Sequence, residues 1–417
     1  MEKLIPVALL LVTVLYSGIV SVNGKPAVPN ENNLNRQQSI FKLSAVNMHF
    51  ALRLYRQIAS QPSSASKNIF FSPISISAAL AMLSLGAKHN TLDQFQQVLW
   101  LSNMTKNDAA GMHVAFKYLL QDLTSESNEL HLKMGNSLFI QHGLDLKNKF
   151  LEDTRQFYEA EASSVDFTEP QIAKEQINNY VRNHTDGKIQ SFIKELDSMT
   201  KMILLNYVLF KGTWVEPFNH QDTHKADFHV DDTTTVEVQM MTRTGMFYHG
   251  RDQQLSSSVI RVPYKDNASL ILILPDPGKL VEVEQNLTIT NFQNLFFSLQ
   301  HSSAKLHLPK LSLKASYNLK DLLKMIGIID AFSDSADFTG ISESMGLKVS
   351  TVIHEAVLDV DEKGTEAAAV TSIHFVGSSG VFHHYPQYVF NRPFLLLIAE
   401  HNTKSVLFAG RVMNPTV

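Results

Sequence analysis

Cysteine is absent from the 417 residues of this chain. Disulfide bonds therefore cannot stabilise the fold, and stability must come from a buried core, which a hydrophobic content of 44% can supply. An excess of charge is missing as well, because 36 basic and 40 acidic side chains give a formal net charge of −4. With no dense basic stripe either, we expect no nucleic-acid partner and no binding to anionic membranes.

Long apolar runs are also missing after the N-terminus, so we expect no membrane-spanning helix. The chain starts with Met1-Glu2-Lys3 and an apolar run from Leu4 to Tyr16, and small and polar residues follow. This order is typical of a signal peptide, so we expect removal of residues 1–24 and a secreted, extracellular product. N-glycosylation sequons fit that route, and they begin at Asn103, Asn183, Asn267 and Asn286.

Apolar residues that recur every three or four positions predict helices along the first half of the chain. Ser72 offers an N-cap, and Pro73 suits the first turn of a mostly apolar helix. Thr91 and Gln94 have the spacing of a capping box at the start of another helix. We expect the polar residues 25–40 to form a flexible N-terminal segment. The predicted helices cover residues 43–58, 72–85, 108–123 and 170–184.

Strands are predicted by a different pattern, in which β-branched and apolar residues dominate short runs. Residues 202–210 are nearly all apolar, as expected of a strand that is covered on both faces at the centre of a sheet. Two hairpins are predicted, the first from residues 259–264 and 270–274 and the second from 394–399 and 406–412. Because strands and helices are mixed without regular alternation, the fold class is α+β.

Small side chains alternate along the segment that begins at Asp361. Thr365, Ala367, Ala369 and Thr371 share one face with a period of two, which suits burial on a pleated sheet. Residues 376–380, Val-Gly-Ser-Ser-Gly, have turn chemistry instead. The segment therefore predicts an exposed loop whose first part can become a strand.

This segment resembles the reactive-loop hinge of inhibitory serpins, and residues 390–394 and 408–415 resemble the C-terminal strands of that family. The similarity extends from about residue 40 to the end of the chain. It implies a single serpin domain over residues 41–417, with three β-sheets, eight or nine helices and an exposed reactive-centre loop near residues 364–385. It also implies a serine protease inhibitor that acts as a suicide substrate and inserts its cleaved loop into the central sheet.

The resemblance assigns roles within this loop. Counting from the hinge implies a reactive bond at Ser378-Ser379, whose small side chain suits an elastase-like protease. Counting back from Asn391 gives Phe382-His383, which suits a chymotrypsin-like protease. We favour the hinge count, and we expect a monomer whose partner is a protease of one of these two types. The implied hinge residues are Glu362, Gly364, Thr365, Glu366, Ala367, Ala368, Ala369 and Thr371.

The resemblance further implies two polar sites beneath the loop. One is a hydrogen-bonded cluster at the point where the central sheet opens, and the other is an exposed Lys310–Glu362 salt bridge near Trp214, worth about 0–1 kcal/mol. The residues of the first cluster are Ser72, Ser75, Asn206 and His354. Glu355 departs from the family pattern, because antitrypsin-like members carry a basic residue after the matching histidine.

Histidine spacing allows an alternative metal site. His220 and His224 would share one face of a helix and His229 lies close by, but no zinc-binding context surrounds them, so we favour solvated loop histidines. The same holds for His383 and His384. A nucleophile elbow, a phosphate-binding loop and zinc-protease spacing are all missing, so we expect no enzyme activity, cofactor or metal.

The alternative function is a non-inhibitory serpin that carries a small hydrophobic hormone. Residues 233–238, the hinge and the loop length resemble thyroxine-binding globulin. Against this, that carrier has proline where Thr371 stands and arginines where His401 and Lys404 stand. The ligand-stacking tryptophan of corticosteroid-binding globulin also falls at Lys404. The expected hormone pocket thus lacks its most recognisable residues.

Overall fold

Nine of the ten α-helices in the described residues have six residues or more. The computed structural model describes residues 31–105, 109–125, 131–190, 192–297, 299–344, 346–364 and 385–417. The helices are α1 (Glu31–Ala59), α2 (Pro73–Ser84), α3 (His89–Val98), the single turn α4 (Ser102–Thr105), α5 (Ala109–Thr124), α6 (Asn148–Tyr158), α7 (Pro170–His184), α8 (Leu280–Asn286), α9 (Ile289–Phe297) and α10 (Lys320–Met325). None of these helices combines the length and the hydropathy that a membrane-spanning segment requires.

The first helix begins earlier than the periodicity predicts. Residues 31–40, which we expected to be flexible, are helical and form the start of α1. Ile40 is already buried, and Arg36 forms an ion pair with Asp122 of α5. Residues 31–40 are therefore part of the first helix, and Arg36 attaches them to a segment that is distant in sequence.

The two predicted helix caps have opposite outcomes. Ser72 Oγ accepts a hydrogen bond from the Ser75 backbone at 3.3 Å, so the predicted N-cap of α2 is confirmed. The capping box is wrong, because α3 begins at His89, before Thr91. Thr91 Oγ1 accepts instead from the Asp337 backbone at 3.0 Å, and Gln94 Oε1 accepts from the Ile329 backbone at 2.7 Å. Both side chains attach a distant loop rather than their own helix.

The described strands form two hydrogen-bonded sheets. One has five strands in the order β10-β11-β4-β2-β3, and the other has nine, in the order β1-β14-β13-β8-β7-β6-β9-β12 with β5 on β6. The strands are β1 (Ile69–Phe71), β2 (His131–Gln141), β3 (Glu161–Val165), β4 (Met202–Lys211), β5 (His224–His229), β6 (Thr235–Asp252), β7 (Ser257–Pro263), β8 (Ala268–Pro275), β9 (Gln300–Pro309), β10 (Leu311–Asn318), β11 (Thr351–Val360), β12 (Gln387–Val389), β13 (Phe394–Glu400) and β14 (Ser405–Val412).

Strand β6 explains why two sheets stand where the family resemblance implies three. It has 18 residues, and its first part pairs with β5 and β9 whereas its last part pairs with β7. One continuous strand thus joins two layers that would otherwise be counted separately. The α+β class is confirmed, and so are the hairpins β7–β8 and β13–β14.

Strand β4 lies at the centre of the five-stranded sheet, as its composition predicts. Every residue of β4 except Lys211 is buried. Its neighbour β11 runs parallel to it and pairs along residues 351–358, whereas β10 and β2 are antiparallel to β11 and β4 respectively. We call the boundary between β4 and β11 the seam.

A buried ion pair fixes α1 and α8 to the strand β14. Arg411 Nη1 lies 2.8 and 2.9 Å from the two carboxylate oxygens of Glu284, and Tyr55 donates to the same carboxylate at 2.6 Å. Both charged side chains are less than 10% exposed. Because each charge has a partner and further hydrogen bonds, burial of the pair is tolerated.

Candidate functional site

The chain leaves the five-stranded sheet at Gly364, just after β11. Gly364 has a φ of 139°, and a Cβ atom there would lie 2.0 Å from the Gly212 carbonyl oxygen, so only glycine fits. Trp214 supports this exit, because its indole N–H donates to the Asp361 carbonyl at 2.9 Å and its ring stacks on Tyr264 at 4.1 Å. The base of the predicted loop is therefore held by the Trp214 side chain and by the hydrogen bond from the Trp214 backbone N–H to the Lys363 carbonyl.

Glu362 connects this base to Lys310, which lies between β9 and β10, and to the segment before β5. Lys310 Nζ lies 2.8 Å from Glu362 Oε2, and Thr223 Oγ1 donates to Glu362 Oε1 at 2.7 Å. Burial opposes ionisation of the carboxyl, but the hydrogen bonds from Lys310 and Thr223 outweigh it and hold the pKa of Glu362 below its ordinary value. The Glu362 side chain is only 8% exposed, so the pair is not the exposed salt bridge that we expected.

A buried polar cluster lies beneath the seam. The Asn206 amide donates to Ser75 Oγ at 2.5 Å and to Asn136 Oδ1 at 2.6 Å, and Ser72 Oγ accepts from the Ser75 backbone. His354 completes the cluster from β11, with Nδ1 2.5 Å from Asn206 Oδ1. The structure thus brings together the four residues that the family resemblance implies and adds Asn136.

Sequence reasoning missed Asn136. It lies on β2 and is the register partner of Asn206 on β4. The signal was weak, since Asn136 is one of three polar residues in the second half of β2, beside Ser137 and Gln141. Only the pairing of the two strands identifies it as the acceptor for Asn206.

Hydrogen bonds determine the protonation of His354. Its Nε2 accepts from the Ser72 backbone N–H at 3.1 Å, so the ring proton is on Nδ1, which donates to Asn206. Complete burial lowers the pKa of His354 to about 3. The ring is therefore neutral at physiological pH, and its bond to Asn206 crosses the seam from β11 to β4.

The remaining loop predictions lie outside the described residues. They include the hinge positions Thr365, Glu366, Ala367, Ala368, Ala369 and Thr371, the two candidate reactive bonds at Ser378-Ser379 and Phe382-His383, and His384. Of the four sequons, Asn103 lies in α4, and the side chains of Asn183, Asn267 and Asn286 are exposed. Glycan occupancy stays a prediction.

The three other histidines do not share a helical face. His220 lies in a short 3₁₀ turn, whereas His224 and His229 lie at opposite ends of β5. All three side chains are exposed. Among the described residues, no group of three or more His, Asp or Glu side chains is placed to hold a metal ion.

His401 and Lys404, the positions at which the hormone carrier has arginines, lie in the turn between β13 and β14. We call this turn the corner, and its own hydrogen bonds close it. Buried Glu400 accepts from the Asn402 and Thr403 backbones at 2.7 Å, and His401 Nε2 lies 2.8 Å from Ser269 Oγ. Burial lowers the pKa of His401 to about 3. The apolar cavity between α1 and the strands β13 and β14, which flank this corner, has a volume of only about 30 Å³.

Comparison with known proteins gives concordant matches. The family model described as "Serpin (serine protease inhibitor)" matches residues 45–415. Alpha-1-antiproteinase of Rattus norvegicus is 45% identical over 375 residues, which are 90% of each chain. An alpha-1-antitrypsin-like protein of Tamias sibiricus is also 45% identical, over 88% of this chain and 87% of its own.

Solved structures give the same fold. Human thyroxine-binding globulin, crystallised with its hormone, has a TM-score of 0.84 and 39% identity, covering 90% of this chain and 99% of its own. Human glycosylated kallistatin has a TM-score of 0.83 and the same identity and coverage.

Proposed function

Because this chain belongs to the serpin family, we propose that it is a secreted inhibitor of serine proteases, which it traps as a suicide substrate. The observation that carries the proposal is the seam, where β4 and β11 run parallel side by side and β11 leads directly to the loop. The predicted signal segment and the exposed sequons support secretion. We propose that it is not an enzyme.

The seam favours insertion of the loop on geometric grounds. A strand that follows β11 after a reversal runs antiparallel to β11. If it lay between β11 and β4, it would be antiparallel to both, and antiparallel pairing satisfies every backbone group of such a strand. From Gly364 to Ser378 the strand would be about 45–50 Å long, at roughly 3.3–3.4 Å per residue. A protease whose serine is acylated by the Ser378 carbonyl would be carried along the whole sheet.

The polar contacts described above oppose premature insertion. Admitting a strand would separate β4 from β11 by about 4.8 Å more, one strand spacing. The bond from His354 to Asn206 would break, and so would the backbone pairing along the seam. The uncut loop would therefore stay outside, since cleavage must first release it from β12.

The reactive bond and the target protease follow from the hinge count. We propose cleavage at Ser378-Ser379 by an elastase-like protease, with Phe382-His383 and a chymotrypsin-like protease as the second choice. The inhibitor would act as a monomer. The small side chains at Thr365, Ala367 and Ala369 would enter the sheet without displacing its neighbours.

The test is incubation of the secreted chain with elastase-, chymotrypsin- and trypsin-type proteases. We expect an SDS-resistant covalent complex with one of the first two, and mass spectrometry of the released peptide should locate the bond. Thr365→Arg should be cleaved without trapping, because it would bury an unpaired charge, whereas the matched Thr365→Ser should still trap. Cleavage of the unmodified loop with no trapped complex would refute inhibition.

Carriage of a hormone is the second candidate, favoured by the likeness to thyroxine-binding globulin. The small cavity beside β13 and β14 is about tenfold below the ~300 Å³ of the smallest typical ligand sites. The carboxylate of buried Glu400 and the Nε2 atom of buried His401 are also engaged by Asn402 and Ser269, so they are not available to a ligand. We therefore expect no saturable nanomolar binding of an iodothyronine or a steroid in an equilibrium titration, and such binding would favour the carrier.

A further inference from the structure

A cavity of about 1000 Å³ lies over the seam, on the face of the five-stranded sheet opposite the polar cluster. Its walls are β10, β11, the start of β4 and the segment Phe192–Thr200, which covers it. The volume is at the upper end of the ~300–1,000 Å³ range of small-molecule sites. Nothing in the proposed inhibition assigns a role to it.

The floor of the cavity is apolar. Ile203 on β4 and Ile353 on β11 lie on the two sides of the seam, and Phe192, Phe332 and Val349 extend the apolar surface. Met199 lies on the covering segment and is 72% exposed. A ligand with an elongated apolar body would therefore contact both seam strands at once.

The charged side chains of the lining are four lysines and three acids, and Asp334, which lies outside the lining, balances the fourth lysine. Its charged members are Lys194, Lys314, Lys320 and Lys348 against Glu195, Asp197 and Glu355. Lys348 forms an ion pair with Asp334, and Lys320 donates to the Ser350 carbonyl at 3.1 Å rather than to an acid. Asp197 accepts from the Met199 backbone of its own segment.

Glu355 is the one deeply buried charge in this lining. Its side chain is 2% exposed, and Lys314 Nζ lies 3.0 Å from its Oε1. Lys194, on the covering segment, also attracts this carboxylate electrostatically, so two ammonium groups stabilise its ionised form. Burial nevertheless raises the pKa of Glu355. Lys194 and Lys320 form no ion pair with an acid among the described residues, so both ammonium groups remain for a ligand.

We propose that this cavity binds an amphipathic carboxylate, whose apolar body lies across Ile203 and Ile353 and whose anionic head faces Lys194 and Lys320. Such a ligand contacts both strands of the seam only while they are adjacent. By linkage, the bound ligand stabilises the closed sheet and slows strand insertion. This second part rests on the proposed function, whereas the binding itself does not.

The binding test uses the intact chain and dodecanoate below its micelle concentration, with isothermal titration calorimetry. We expect saturable micromolar binding, and much weaker binding of dodecyltrimethylammonium, which has the same chain and the opposite charge. Lys194→Gln should weaken dodecanoate binding about fivefold, the effect of a partly solvated ion pair. Glu355→Gln should strengthen it by a similar factor because repulsion is removed.

The matched control is Lys225→Gln, since Lys225 is an exposed lysine of β5, outside the cavity lining. It should leave the affinity within about twofold. Absence of saturable binding, equal binding of the two chain ligands, or an unchanged affinity in Lys194→Gln would overturn the assignment. Lys194 is exposed, so this variant keeps the test decisive even if Glu355→Gln fails to fold.

Coupling to insertion is measured separately. At a dodecanoate concentration about 100 times its Kd, the open-seam population should fall roughly 100-fold, and the rate of covalent complex formation should fall with it. An unchanged rate with the site saturated would overturn the coupling. If the chain traps no protease at all, the calorimetric result still stands, so the two failures are distinguishable.

Discussion

Replacement of His354 by glutamine should remove a large part of the acid sensitivity of this protein. The buried ring has a pKa of about 3, against 6.5 for an unperturbed histidine. Because the folded-state pKa is lowered, the unfolded chain binds the proton more readily. The stabilising contribution is therefore complete above about pH 6.5 and is lost as the pH falls toward 3.

The magnitude follows from these two values. Between pH 7 and pH 5, protonation of the unfolded ring lowers the free energy of unfolding by about 2 kcal/mol, and between pH 7 and pH 3 the loss amounts to about 4 kcal/mol. Glutamine cannot titrate, so His354→Gln should lose about 2 kcal/mol less than the unmodified chain between pH 7 and 5. Buried His401 and partly buried His113 also have lowered pKa values, but their contributions are the same in both proteins and cancel.

The assay is urea unfolding at pH 7, 6 and 5, followed by the fluorescence of the two tryptophans. The variant will be less stable at pH 7 because its side chain cannot reproduce both ring hydrogen bonds, so only the difference between pH values is diagnostic. His229→Gln, at an exposed position, serves as the control and should keep the full pH dependence. Equal slopes in the unmodified chain and in His354→Gln would refute the buried neutral ring.

Three further predictions concern contacts at the loop base and in the core. Lys310→Met should lower the free energy of unfolding by about 1–2 kcal/mol at pH 7, because the Glu362 carboxylate keeps only Thr223, and the loss should shrink toward pH 4 as that carboxyl is protonated. Gly364→Ala should cost at least about 3 kcal/mol, against about 1 kcal/mol for Gly143→Ala, where φ is also positive but the space is open. Arg411→Met should cost about 3–5 kcal/mol in urea unfolding, and the double variant with Glu284→Met should recover most of that loss; an equal loss in both would contradict a buried uncompensated charge.

Local sequence patterns predicted the elements whose residues decide their own structure. Residues 202–210 are apolar almost without interruption, and they form the central strand β4. Ser72 caps α2 by accepting from the backbone N–H of Ser75, only three residues along the chain. The predictions failed where a distant segment competes for the same side chain. Thr91 and Gln94 bind residues 329–337 instead of capping α3, and nothing local reveals those partners.

The candidate site divides in the same way. The family resemblance named Ser75, Asn206 and His354, whereas Asn136 emerged only from the register of β2 on β4. Glu362 was identified, but its burial was not, because burial depends on how the segment before β5 lies against the end of β11. A linear pattern records which residues are polar, and the register determines which of them meet.

The position of the last two strands has a consequence for biosynthesis. Strands β13 and β14 come from residues 394–412, yet they lie inside the nine-stranded sheet, between β1 and β8. Ile69 on β1 has its sheet partner at Arg411, so it must wait until residue 411 has left the ribosome, more than 300 residues later. The sheet therefore cannot form in the order of synthesis, and a nascent chain stopped before residue 394 would expose the edges of β1 and β8 together.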